Sequence, residues 1–107
     1  MDIRVRRAIA TLEANSHHRF SLSELARSVN LSPFYFCHLF KTQTGISPGR
    51  YLINLRMQQA CHLLETTQLS VKEVMAQVGF NDKSHFTREF KRCYGQSPSQ
   101  YRKHRLE

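Results

Sequence analysis

The sequence has few of the residues that build secreted or membrane scaffolds. It holds three cysteines in 107 residues, Cys37, Cys61 and Cys93, far apart and with no CxxC pair. An odd, scattered set fits reduced thiols in a cytosolic compartment better than a disulfide framework. No apolar run approaches the length of a membrane span, and no signal-peptide pattern opens the sequence, so no membrane partner is expected. There are only four glycines and no phosphate-cradling glycine loop. No nucleophile sits beside a base, no carboxylates pair, and no metal-ligand spacing recurs, so an enzyme reading has little support and neither metal nor cofactor is expected. His17 and His18 are adjacent on a loop with no third ligand nearby and read as solvated histidines. Acid is scarce too: eight Asp and Glu stand against sixteen Lys and Arg, a net charge of +8. Such a balance points to a polyanionic partner, nucleic acid or an anionic surface, although many basic residues do no more than solvate a surface.

What is present is helical punctuation. Val5, Ala8, Ile9 and Leu12 mark an amphipathic first helix with Arg4, Arg6 and Arg7 exposed near its start. Ser21-Leu22-Ser23-Glu24 is a capping-box pattern opening a short helix with Leu22, Leu25, Ala26 and Val29 inward. Asn30 ends it, since Asn tolerates the left-handed conformation such a turn uses. Ser32-Pro33 starts the next helix, with Phe36, Leu39 and Phe40 inward and Phe34, Cys37, His38 and Lys41 outward, and Gly45 stops it. Ser47-Pro48 repeats the start signal for an unbroken pattern to about Thr66, roughly 27 Å long at ~1.5 Å per residue. Its expected core positions are Leu52, Leu55, Ala60, Leu63 and Leu64. Ser70-Val71-Lys72-Glu73 is a second capping box, and its helix ends at Gly79. Lys83 to Tyr94 then splits into two faces: Phe86, Phe90, Cys93 and Tyr94 form an apolar stripe, and Ser84, Thr87, Arg88 and Lys91 oppose it. Ser97-Pro98 starts a last short helix. No strand signal matches these in strength.

The chain repeats itself. Ser21, Leu22, Glu24, Leu25, Ala26 and Val29 match Ser70, Val71, Glu73, Val74, Met75 and Val78, 49 residues apart. Phe36, Phe40, Lys41, Gly45, Ser47, Pro48 and Tyr51 match Phe86, Phe90, Lys91, Gly95, Ser97, Pro98 and Tyr101, 50 residues apart. The extra residue lies in the turn before the second copy's second helix. Each copy reads as capped helix, short turn, second helix with an apolar inner face, which is a helix-turn-helix. The expected fold is all-α: two such lobes, about 1–47 and about 67–105, joined by a long helix at about 48–66, in a single domain of about seven helices. Two outward helices, about 33–44 and 83–94, would then read adjacent major grooves, which recur every ~34 Å along the duplex. The rival reading, a helical protein-interaction module, explains the apolar faces but not the donors on the outer face of 83–94.

The stretch GFNDKSHFTREFKRCYGQSPSQYR closely resembles the signature of the AraC/XylS transcription regulators, matching at Gly79, Phe80, Phe86, Arg88, Phe90, Lys91, Gly95, Ser97, Pro98, Tyr101 and Arg102. Leu25-Ala26, Leu31-Ser32, Leu39-Phe40-Lys41 and Gly45-Ile46-Ser47-Pro48 resemble the family's first unit. The resemblance implies a domain that binds double-stranded promoter DNA and acts with RNA polymerase, in the bacterial cytoplasm at the nucleoid. A ligand-binding or dimerisation domain outside this chain is also implied, since most relatives carry one. Carried over by position, the base-reading residues are Phe34, Tyr35, Cys37 and His38 in the first lobe and Lys83, Ser84, His85, Thr87 and Arg88 in the second. Lys41 and Lys91 would neutralise phosphates, and Ser32 and Asn81, near helix starts, would place backbone N–H groups against phosphate. Arg88 suits bidentate contact with guanine. Cys37 and His38 stand where relatives often carry a longer polar residue and an arginine, so the first half-site is expected to be read less sharply. Tyr51 and Tyr101 are expected to pack, and Arg102, Lys103 and Arg105 to form a solvated basic tail.

Overall fold

Two turns of the same construction organise the chain. In a computed structural model that describes residues 1–106, α2 (Leu22–Ser28) ends with Asn30 at φ 59° and α5 (Val71–Gln77) with Gly79 at φ 100°. After α2, the Asn30 and Leu31 amides donate to the Arg27 and Ala26 carbonyls, both at 3.0 Å. After α5, the Gly79 and Phe80 amides donate to the Ala76 and Met75 carbonyls at 3.2 and 3.0 Å. This crossed pair of bonds around a left-handed residue is a Schellman motif, which satisfies terminal carbonyls and aims the chain sharply away from the helix. The copies then diverge by one residue. Ser32 follows Leu31 directly and caps α3 (Pro33–Thr44), whereas Asn81 intervenes before Asp82 caps α6 (Lys83–Tyr94). Asn81 is therefore the extra residue of the repeat.

The remaining helices are α1 (Ile3–Ala14), α4 (Pro48–Thr66) and α7 (Pro98–Leu106), and no strand occurs among the described residues. The chain forms two units, Met1–Leu52 and Ile53–Glu107, with the boundary inside α4. In the first, Val5, Ala8 and Leu12 of α1 are buried along with Leu25, Ala26, Val29, Phe36, Phe40 and Leu52. In the second, Met57, Ala60 and Leu64 of α4 enclose a core with Val74, Val78, Phe80, Phe86 and Phe90. The repeat extends to ring geometry. Phe40 meets Tyr51 edge-on at 5.5 Å, and their equivalents Phe90 and Tyr101 meet edge-on at 5.6 Å. Both tyrosines pack, as their positions after Ser-Pro suggested.

Four details depart from the sequence pattern. The Ser70–Glu73 capping box forms with both bonds, but at Ser21 only the hydroxyl half is present, accepting the Glu24 amide at 3.3 Å. Cys93 lies exposed rather than in the apolar stripe, and none of the three cysteines is in a disulfide. Leu55 and Leu63 are half-buried, while Met57, unmarked by the pattern, is fully buried. Apolar periodicity marks candidate inner positions on α4, but which of them is fully covered depends on the elements packed against it. Arg102 is not a solvated tail residue. Its Nε donates to the Leu64 carbonyl at 3.2 Å, Nη2 to Thr67 at 3.3 Å, and Nη1 to Leu69. One guanidinium so satisfies the end of α4 and the loop beyond it. Arg105 pairs with Glu65 nearby.

Candidate nucleic-acid interface

The outer face of α6 is built from its register. Phe86 and Phe90 point into the core, which forces Lys83, Ser84, Arg88 and Lys91 into solvent and leaves Thr87 and His85 half-buried. Asp82 sets the start: its Oδ1 accepts the His85 amide at 3.1 Å. Gly95, at φ 76°, sets the stop, with its amide donating to the Lys91 carbonyl at 2.8 Å. His85 is steadied by the edge of the Phe80 ring, 5.1 Å away. The helix's one acid, Glu89, was not anticipated as a core residue, yet it is only 4% exposed. Turning that charge inward leaves the outer face with Lys83, Arg88, Lys91 and Arg92, and acid only at the Asp82 cap. Position 89, three residues after Phe86, falls on the inner side by spacing, but a charged residue does not signal burial there, because burial of a charge depends on partners from other elements.

The outer face of α3 is of different chemistry. Phe34 is 76% exposed and Tyr35 49% exposed, and both are large apolar surfaces left in water. Adjacent exposed aromatics on one helix make this face a candidate contact surface. Phe34 packs at a tilt against His38 with ring centroids 4.5 Å apart, while Cys37 is half-buried and Lys41 exposed. Ser32 caps the helix, its Oγ accepting the Tyr35 amide at 3.2 Å. The two starts therefore differ in charge. A neutral hydroxyl at Ser32 leaves the positive end of α3 open to an anion. A carboxylate at Asp82 stabilises α6 but opposes a phosphate at the same place. Asn81 lies exposed just outside that cap, so its own side chain is the group available there.

The structure thus gathers Ser32, Phe34, Tyr35, Cys37, His38 and Lys41 on the first unit's α3. It gathers Asn81, Lys83, Ser84, His85, Thr87, Arg88 and Lys91 on and beside the second unit's α6. Two residues outside that set adjoin it. Arg4 of α1 holds its guanidinium 5.9 Å over the Tyr35 ring, and Asp2 holds Arg4. The hydrogen-bonded Arg4 guanidinium lowers the Asp2 carboxyl to about 2. Arg4 was legible as an exposed basic residue, but its approach to α3 is tertiary. Among the described residues no three His, Cys, Asp or Glu are placed to hold a metal ion, and no helix is long and apolar enough to cross a membrane.

Two helix-turn-helix units, each presenting its second helix outward, define the architecture of an AraC-type DNA-binding domain. A helix-turn-helix domain family model matches residues 25–104. The arabinose operon regulatory protein of Salmonella typhimurium is 42% identical over 105 residues, covering 95% of this chain and 37% of that protein. Its Escherichia coli K12 counterpart is 40% identical over 103 residues, 95% of this chain and 35% of that protein. Among solved structures, the DNA-binding domain of AdpA in complex with a target DNA superposes with a TM-score of 0.87 at 33% identity, over 92% of this chain and 89% of that one. The C-terminal domain of AraT, a response regulator from Geobacillus stearothermophilus, gives 0.88 at 34% identity, over 95% and 85%. The chain belongs to the AraC/XylS family of helix-turn-helix transcription regulators. It spans about a third of the length of the curated relatives it matches, between 28% and 37%.

Proposed function

We propose that this chain is a sequence-specific reader of double-stranded promoter DNA that regulates transcription initiation by binding rather than by catalysing a reaction. The observation that carries the reading is the repeated presentation of an exposed helix, α3 and α6, by the same Schellman turn in both units. In this reading the lobes about 1–47 and about 67–105, with the helix 48–66 between them, act as one domain on a bipartite site in adjacent major grooves. Arg88 takes guanine, Ser84, Thr87, Lys83 and His85 read neighbouring base edges, and Lys41 and Lys91 neutralise phosphates. Ser32 presents the amide end of α3 to phosphate, and Asn81 contributes its carboxamide. Phe34, Tyr35, Cys37 and His38 offer apolar and aromatic contact, suited to thymine methyl groups more than to a polar code. RNA polymerase at the promoter is the protein partner. An effector-binding or dimerisation domain lies outside this chain, and the working compartment is the bacterial cytoplasm, at the nucleoid.

Selection of binding sites from random duplex DNA tests this directly. The expected product is one motif in two blocks, about one helical turn apart, with the block opposite α6 the more sharply defined. Absence of any duplex binding in an electrophoretic shift assay at low salt would overturn this reading in favour of a protein-interaction module.

A further inference from the structure

We propose that Arg4 is a positioning residue for base recognition by the first unit: held by Asp2, its guanidinium fixes the Tyr35 ring at the edge of the α3 recognition face. The inference rests on the reading of α3 as a DNA-contacting helix.

The contacts form a chain from α1 to α3. The Asp2 carboxylate accepts the Arg4 amide at 2.8 Å, Arg4 Nε at 3.2 Å and Nη2 at 2.9 Å. A fork held at two nitrogens fixes the plane of the guanidinium as well as its place. Its central carbon, Cζ, stands 5.9 Å from the centroid of the Tyr35 ring. The Asp2 amide donates to Gln43 Oε1 at 2.8 Å, which ties the start of α1 to the far end of α3. Tyr35, Leu39 and Gln43 recur at i+4 spacing, so this whole edge of α3 borders α1. An exposed tyrosine left alone samples several rotamers and loses that freedom on binding; a cation over its face removes the loss in advance.

The second unit solves the same problem by other means. His85 is the repeat's equivalent of Tyr35, and there the edge of Phe80 steadies the ring at 5.1 Å. Each recognition helix so carries a ring at its third position braced from outside the helix. In the first unit the turn residue Leu31 has no ring to offer, and Arg4 supplies the brace.

The test uses the full chain with variants Arg4→Gln, Arg4→Lys, Tyr35→Ala and the double variant Arg4→Gln/Tyr35→Ala. Competition shift assays measure discrimination between the selected duplex and duplexes altered in one half-site or the other, and thermal unfolding is followed alongside. Arg4→Gln is expected to lower first-half-site discrimination about threefold to fivefold, leave the second half-site unchanged, and add nothing in the Tyr35→Ala background. Arg4→Lys, which keeps the charge without the fork, should recover part of the loss, and it carries the test if Arg4→Gln does not fold. Additive losses, or a fall at both half-sites together, would overturn the positioning role. So would an inert Arg4→Gln beside an impaired Tyr35→Ala. An inert Tyr35→Ala with sequence preference intact elsewhere would instead remove the reading of α3 at that position, and this inference with it.

Discussion

Arg88 and Phe34 occupy the outward faces of equivalent helices and represent two kinds of recognition. Arg88 is exposed on a helix whose one internal acid faces inward, so the body of that helix offers it no outward carboxylate. Replacing it by Ala should cost about 1–3 kcal/mol of discrimination at one base pair while changing random-duplex binding little. Competition shift assays on selected and scrambled duplexes read the difference, and equal losses on both would refute base reading. Asp2 gives a second prediction at this scale. The hydrogen bonds from Arg4 lower its carboxyl from 3.8 to about 2. A depressed folded-state value means the carboxylate supports the folded state above about pH 4 and loses that contribution as pH falls through about 2. Carbon-detected NMR titration should place its midpoint there in the wild type and move it up toward the ordinary carboxylate range in Arg4→Gln, which removes the guanidinium bonds and keeps the amide bond.

At the scale of the element, the glycines that stop the recognition helices and the arginine that closes α4 carry separable loads. Gly45 and Gly95 adopt φ of 87° and 76°, with open space where a Cβ would stand. Ala at either place meets no clash, so its cost is the left-handed backbone itself, about 1–2 kcal/mol, measurable by urea unfolding. Arg102 satisfies three carbonyls, one in the last turn of α4 and two in the loop beyond it. Arg102→Ala should therefore destabilise the fold by about 1–3 kcal/mol while leaving the salt dependence of DNA binding unchanged. A shallower salt slope with intact stability would instead make Arg102 a phosphate contact. Tyr94 meets α4 two turns earlier, its hydroxyl donating to the Met57 carbonyl at 3.3 Å, and burial, with the nearby Cys61 thiol, pushes its phenol up to about 12.

For the whole molecule, charge sets the terms of association. A net charge of +8 on 107 residues makes the sequence-independent part of binding electrostatic. Affinity should fall linearly on a log–log plot against salt, and Lys41→Ala and Lys91→Ala should each reduce the slope by about one. An unchanged slope in either variant would remove that lysine from the phosphate contacts. Sequence preference should survive both substitutions, because a phosphate contact carries no base information.

Much of this was legible in the chain before folding. Caps, stop glycines and the Phe-Phe spacing are local signals, read within one helical turn of the residue concerned, and they determined seven helices, the repeat and the outward positions of Arg88 and Lys91. What those signals leave open is which neighbour a side chain meets. Glu89 turned inward, Arg102 onto carbonyls more than thirty residues earlier in the chain, Met57 into the core and Arg4 over Tyr35 only because elements distant in sequence came together. Helical periodicity specifies a direction from the axis; only the tertiary structure decides what stands in that direction.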